Sequence, residues 1–249
     1  MAKRGAAGLK VAIAGLGAIG YEVAKRLDDG LEGLTLAAVS ARDLARAQRR
    51  VAGFQAPPEV VPLEALAGLG DVVVECAPAA LFRQIAEPAI AAGRIFLALS
   101  VGQLLFNRDL MDLAAERGAR IIAPTGALLG LDAVRAAAEG EIRSVTLVTR
   151  KPPRALAGAP HLERHGIRLD GLTEPRKLFE GDAYQAAEGF PANLNVGAAL
   201  SLAGVGPERT RIEIWADPGI ERNIHRIRVE ADTTRFEMTI EGVPTATNP

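Results

Sequence analysis

Two rhythms of apolar and polar residues divide the chain. In the first half, short runs are mostly apolar, with their few polar residues near the ends: Lys10–Ala14, Leu34–Ser40, Asp71–Cys76, Arg94–Ser100 and Ala119–Ala123. Runs this short, with β-branched residues and no alternation, predict strands buried on both faces. Between them apolar residues recur every three to four positions. Ile19, Val23 and Leu27 stand four apart beside Gly20 and Ala24, and Arg42–Val51, Ala80–Ala92 and Leu104–Arg117 also read as helices. Strands alternating with amphipathic helices predict a parallel sheet covered on both sides.

The rhythm changes near Pro124. In Ile142–Val148, Val145 and Leu147 oppose Ser144 and Thr146. In Arg211–Ala216, Ile212, Ile214 and Ala216 share one face. In Arg235–Glu241, Phe236, Met238 and Ile240 oppose Arg235, Glu237 and Glu241. Alternation of period two predicts a sheet with one packed and one more polar face. Helices are expected at Gly130–Ala138 and Asn195–Ala203, and a long loop at Lys151–Leu172, which is rich in Pro, Gly and charge. The expected division is a domain over residues 1–125 and a second, smaller α+β domain over residues 126–249.

The junction of the first strand and first helix reads Gly15-Leu16-Gly17-Ala18-Ile19-Gly20, a G-x-G-x-x-G. Gly15 permits the tight turn, Gly17 lets a pyrophosphate approach the backbone, and Gly20 lets helix and strand lie close. The amides of Ala18 and Ile19, at the helix N-terminus, would face the phosphates. With its flanking strand and helix, the motif predicts an α/β fold beginning with a Rossmann-type, doubly wound parallel sheet that binds a dinucleotide. Ligands of such sheets lie at the carboxyl ends of strands. Ala77 and Pro78, after the third run, and Ser100 and Val101, at the end of the fourth, are therefore cofactor-site candidates. About 20 residues past the motif an acid is expected to hold the adenine ribose. Ser40 stands there, followed by Ala41, Arg42 and Asp43. Ser40 and Arg42 would suit a 2′-phosphate, so tolerance of NADP beside NAD is favoured. Asp43 would alternatively reach the ribose or cap the next helix.

Composition narrows the setting. The chain has 249 residues, a formal net charge of −1 and one cysteine, Cys76. That charge offers no argument for nucleic acid or an anionic membrane surface. No apolar run reaches the roughly 18 residues of a membrane span. Met1–Leu9 lacks the apolar core of a signal peptide. The expectation is a cytoplasmic protein without an intrachain disulfide.

Candidate chemistry is sparse. His161 and His165 read as solvated loop residues. His225 shares an inward strand face with Ile227 and Val229, and is either a core histidine or a general acid–base group for neutral pH. Asn193 and Asn195 stand where a helix begins, either as caps or as carboxamides for nicotinamide. Thr125-Gly126-Ala127 offers backbone amides to a carboxylate or to nicotinamide, or simply turns the chain. Cys76 reads as a small buried thiol rather than a nucleophile. No Cys/His spacing fits a metal site. Trp215, opposite the packed face of its strand, suggests an interface.

On these residues the sequence resembles the L-aspartate dehydrogenase family. The resemblance rests on the glycine motif, Glu75-Cys76-Ala77-Pro78, Leu99-Ser100-Val101-Gly102, Gly126-Ala127…Gly130-Leu131-Asp132-Ala133 and Thr149-Arg150-Lys151-Pro152-Pro153. It continues through Phe190-Pro191-Ala192-Asn193-Leu194-Asn195-Val196 and Ala216-Asp217-Pro218…Asn223-Ile224-His225. It implies oxidation of L-aspartate with NAD or NADP to iminoaspartate, then oxaloacetate and ammonia, with the imine able to feed pyridine-nucleotide synthesis. It matches His225 to the family's catalytic histidine and Ala127 and Asn195 to its cofactor contacts, and it implies a homodimer. Relatives continue into a C-terminal helix where this chain has Thr247-Asn248-Pro249. Lys151 and Arg150 are candidates for holding the substrate carboxylates, or else a solvated basic pair. Two rival readings stay open: another two-domain dehydrogenase of a related small substrate, and a non-catalytic dinucleotide-binding redox sensor.

Overall fold

The computed structural model describes residues 8–126, 128–191 and 195–243. The chain divides into two compact units, Met1–Pro124 and Thr125–Pro249. The second is as long as the first rather than smaller.

The first unit alternates β1 (Leu9–Ala14), α1 (Ala18–Asp28), β2 (Leu34–Ser40), α2 (Leu44–Val51), β3 (Glu59–Val60), α3 (Leu66–Leu69), β4 (Val72–Glu75), α4 (Phe82–Ala91), β5 (Ile95–Ala98), α5 (Asp109–Arg117) and β6 (Arg120–Ile122). The sheet runs β3-β2-β1-β4-β5-β6 with every pair parallel. This is the doubly wound dinucleotide-binding order, which reverses direction beside β1. Val11, Ile13, Val39, Val72 and Val74 join Ala24 and Leu27 of α1 and Ala47 and Val51 of α2 in one core. The buried stripe of α1 is Gly20, Ala24 and Leu27; Ile19, expected on it, is 45% exposed because it sits in the first turn, at the strand ends. The helix expected from Leu104 begins only at Asp109. Val101–Leu105 instead winds a 3₁₀ turn, which buries Val101, Leu104 and Leu105. The two-residue strand β3 is too short to leave a period.

The second unit contains α6 (Leu131–Ala138), β7 (Ile142–Lys151), α7 (Pro160–Arg164), β8 (Arg176–Gly181), α8 (Ala183–Gly189), α9 (Asn195–Ala203), β9 (Thr210–Ala216), β10 (Asn223–Ala231) and β11 (Arg235–Gly242). Its sheet runs β11-β10-β7-β9-β8; β7 and β9 are parallel and the other pairs antiparallel. Val145, Leu147, Ile212, Ile214, Ile227 and Val229 are buried on one face, and α6, α8 and α9 pack against the sheet. The stretch expected as a loop holds more structure. Its first residue, Lys151, ends β7, and Pro160 opens α7 at a position where a missing N–H costs nothing. Two elements carry no clear period and are not predicted by the sequence pattern, β8 and α8. The start of α8 is fixed by a capping box: Asp182 accepts from the Gln185 amide at 2.8 Å while the Gln185 side chain accepts from the Asp182 amide at 3.1 Å. Among the described residues no helix is long and apolar enough to cross a membrane.

Candidate active site

The glycine turn is built as its spacing requires. Gly15 has φ +102°, and a Cβ there would lie 2.5 Å from the Cys76 carbonyl oxygen. A Cβ on Gly20 would overlap the Gly15 carbonyl oxygen. Gly17 faces open space, with nothing within 4 Å of where its Cβ would be. The first intrahelical bond of α1 runs from the Tyr21 amide to the Gly17 carbonyl at 3.1 Å, so the amides of Ala18, Ile19 and Gly20 have no intrahelical acceptor. Exposed Gly17, Ala18 and Ile19 therefore form a cradle that fits a pyrophosphate. Arg50 of α2 adds a cation here. Its guanidinium donates to the Leu16 carbonyl and lies 4.1 Å over the Tyr21 ring.

One buried carboxylate organises the carboxyl end of this sheet. Glu75 ends β4, flanked by Ala14 of β1 and Ala98 of β5, and is wholly buried. It accepts from the Ser100 amide at 2.8 Å and the Ser100 hydroxyl at 3.1 Å, with the Ala77 and Leu99 amides also bonding. Burial raises its pKa, opposed by the Ser100 bonds. Ser100 thus turns both its hydroxyl and its amide inward to Glu75, and its carbonyl accepts from the Gln103 amide at 2.9 Å. Val101 is buried, Ala77 half-buried and Pro78 exposed. Cys76 is pushed up to about 12 by burial and by Glu75, so its thiol stays protonated.

At the end of β2, Ser40 is only 3% exposed, whereas Arg42 is exposed. Asp43 caps α2, accepting from the Arg46 amide at 2.9 Å.

In the second unit the chemistry lies on the buried face of the sheet. His225 of β10 stands directly opposite Thr149 of β7, and His225 Nδ1 is 3.0 Å from Thr149 Oγ1. Both are buried, at 6% and 3% exposure. Lys151, two residues along β7 and therefore on the same face, is 7% exposed. Burial lowers the Lys151 pKa. Burial, then the Lys151 charge, lowers that of His225 to about 4, so the ring is neutral at pH 7. A buried histidine beside a buried lysine is a perturbed pair of the kind that marks functional sites.

The alternation that joins Lys151 to His225 separates Arg150 from both. Arg150 points to the opposite face, donating to Asp217 at 3.2 Å with its guanidinium 5.1 Å over the Trp215 ring. The pair expected to hold carboxylates together is split between two faces, and Lys151 is buried rather than solvated. Asn195 is the exposed first residue of α9. Ala127 and Asn193 lie outside the described residues. His161 is not a freely solvated loop residue: its ring packs against Phe179, Phe190 and His165. Glu75 and Thr149 are candidate site residues that the sequence pattern alone does not single out. An acid ending the apolar run Val72-Val73-Val74 is a visible signal for the first; the second needs the strand register.

Comparison with known proteins agrees with both units. Residues 15–124 match the family described as "Homoserine dehydrogenase, NAD binding domain", and residues 132–249 match "Aspartate dehydrogenase, C-terminal". An L-aspartate dehydrogenase of Bradyrhizobium diazoefficiens is 58% identical over 236 residues, covering 95% of this chain and 84% of that one. L-aspartate dehydrogenase 3 of Bordetella bronchiseptica is 52% identical over 237 residues, covering 95% and 87%. A solved aspartate dehydrogenase of Thermotoga maritima shares the fold, with a TM-score of 0.72 at 24% identity over 94% of this chain and 89% of that one. Identity of this order along nearly its whole length shows that the chain belongs to the L-aspartate dehydrogenase family.

Proposed function

We propose that this protein oxidises L-aspartate at its amino-bearing carbon with NAD or NADP, giving iminoaspartate and then oxaloacetate and ammonia. The observation that carries the reading is the buried pair His225 and Lys151 on one sheet face, in a chain whose other unit presents a pyrophosphate cradle. Residues 1–125 hold the dinucleotide and residues 126–249 act on the substrate. Bound, the nicotinamide supplies the hydride acceptor.

The protein's own groups do the rest. Gly15, Gly17, Gly20 and the amides of Ala18 and Ile19 hold the pyrophosphate. Ala77, Pro78, Ser100 and Val101, fixed through Glu75, line the site beyond it; the family resemblance adds Ala127 and Asn195 as cofactor contacts. The substrate must lose an ammonium proton before its Cα–H can leave as hydride, because only a free nitrogen lone pair stabilises the imine. His225, neutral at pH 7, takes that proton and later helps water attack the imine. Lys151 offers the ammonium for a substrate carboxylate, whereas Arg150 is held on the opposite sheet face by Asp217. Arg42 suits a 2′-phosphate, which supports use of NADP. A cytoplasmic homodimer, and release of the imine to pyridine-nucleotide synthesis, complete the reading. This reading puts Trp215, on the sheet face opposite His225, at the dimer contact.

The test follows reduced nicotinamide as purified protein meets L-aspartate with NAD⁺ or NADP⁺, alongside His225→Ala. Aspartate-dependent turnover that collapses in the variant supports the substrate and the acid–base group together. Tight dinucleotide binding with no turnover overturns the enzyme reading in favour of a redox sensor.

A further inference from the structure

His225 can exchange a proton through Nε2 only if Nε2 carries the lone pair, and in a neutral imidazole that places the other proton on Nδ1. Something must accept from Nδ1–H inside the protein. The Thr149 hydroxyl oxygen is the group at hydrogen-bond distance, 3.0 Å away in a buried setting. The contact follows from register, since the two residues are directly opposed across the antiparallel β7–β10 ladder with both side chains on the packed face. A β-branched threonine has few χ1 choices in a strand, so its oxygen is held in place. The neighbours of the pair are apolar: Ile240 stands opposite His225 on β11, and Ile214 beside Thr149 on β9. Lys151 on β7 is the charged group whose field reaches the ring.

We propose that Thr149 is the positioning residue of His225: its hydroxyl oxygen accepts the Nδ1–H, keeps that proton on Nδ1 throughout the cycle and leaves Nε2 as the proton-exchanging atom. The proton leaving the substrate ammonium binds Nε2 and passes to solvent after turnover, while the Nδ1–H···Oγ1 bond persists. A carboxylate plays this part for the histidine of hydrolase triads, and there it also stabilises the imidazolium. A hydroxyl orients the ring without adding negative charge, so His225 beside Lys151 rests neutral, as a base must. This inference rests on the proposed role of His225 and is tested apart from it.

The experiment compares wild type with Thr149→Val, nearly the same shape without the hydroxyl, and Thr149→Ser, which restores it. Nitrogen-15 NMR of the imidazole in the free protein reads the tautomer directly. Wild type and Thr149→Ser are expected to carry the proton on Nδ1, and Thr149→Val to shift it towards Nε2. In parallel, kcat with aspartate should fall about 10²-fold in Thr149→Val, within the usual worth of a positioned acid–base group, with KM little changed and with recovery in Thr149→Ser. A wild-type ring protonated on Nε2 overturns the inference, as does a Thr149→Val enzyme that keeps its kcat. The wild-type spectrum decides the matter even if Thr149→Val fails to fold. Nδ1–H in a wild type that does not turn over aspartate supports the positioning role and overturns the substrate reading.

Discussion

The carboxyl end of the parallel sheet and the buried face of the mixed sheet are candidate sites made of different materials. The first is chiefly backbone: three glycines, a helix N-terminus without intrahelical acceptors, and two turns fixed by a single buried carboxylate. The second is side chain: an imidazole, a hydroxyl and an ammonium on neighbouring strands, all pointing one way. A backbone site fails when a Cβ is added; a side-chain site fails when a functional group is removed. The two units should therefore be separable by mutation, one governing dinucleotide binding and the other chemistry.

The largest expected effect tests that separation from the second unit. His225→Ala should lower aspartate turnover by about 10²–10⁴-fold, the range for a positioned acid–base group. Equilibrium binding of reduced dinucleotide, read by its fluorescence, should stay near wild type. A parallel loss of binding would break the division. Gly15→Ala makes the converse test. Its φ of +102° and the Cys76 carbonyl 2.5 Å from the new Cβ force the turn to shift. Strained backbone of this kind costs on the order of 1–3 kcal/mol. If the turn relaxes away from the binding geometry, that is about a fivefold to 150-fold loss of dinucleotide affinity. Ordinary affinity in Gly15→Ala would mean that the turn is not the phosphate cradle.

The same contrast explains what could be read from the chain. A backbone site is contiguous, so Gly15, Gly17 and Gly20 announced it together with the strand before and the helix after. The parallel order followed, because uninterrupted apolar runs such as Val72–Val74 fit only a doubly covered sheet. The side-chain site is scattered over β7 and β10. The alternation placed His225 inward with Ile227 and Val229, but its partner depends on which residue of β7 lies opposite, and a one-residue slip would exchange Thr149 for Arg150. The alternating run that predicts β7 ends at Val148, so Arg150 and Lys151 beyond it read as one basic pair. Continued by three residues it sends them to opposite faces. Elements fixed by caps rather than period, such as α8 with its Asp182–Gln185 box, stayed hidden for a related reason: they carry no core stripe long enough to count.

A smaller effect sharpens the electrostatic side of the comparison. The folded-state pKa of His225, about 4, lies below its ordinary 6.5. Between those values the unfolded chain binds the proton more readily, so stability rises with pH. The contribution is fully present above about pH 6.5 and is lost as pH falls towards 4, at up to about 1.4 kcal/mol per pH unit. Urea denaturation of wild type and His225→Asn across this window should show the two stabilities converging as the medium is acidified. Parallel pH dependence of the two proteins would mean that the ring is not buried in its neutral form.

The smallest effect concerns which dinucleotide the first unit prefers, and it falls where that unit departs from its backbone rule: at the end of β2 the groups proposed to face the adenine ribose are side chains. Ser40 is nearly inaccessible, Asp43 is engaged by the Arg46 amide, and Arg42 is exposed. An exposed cation facing one phosphate contributes about 0.2–1 kcal/mol. Arg42→Ala should therefore lower kcat/KM with NADP⁺ by no more than about fivefold while leaving NAD⁺ unchanged, and added salt should shrink the difference. Equal losses with both cofactors would show that Arg42 supports the fold of this corner instead of the 2′-phosphate. A wild type that ignores NADP⁺ would turn attention to Asp43: with its carboxylate committed to capping, an Asp43→Ala variant would then lose helix stability but not NAD⁺ affinity, whereas loss of both would mean that one carboxylate serves cap and ribose together.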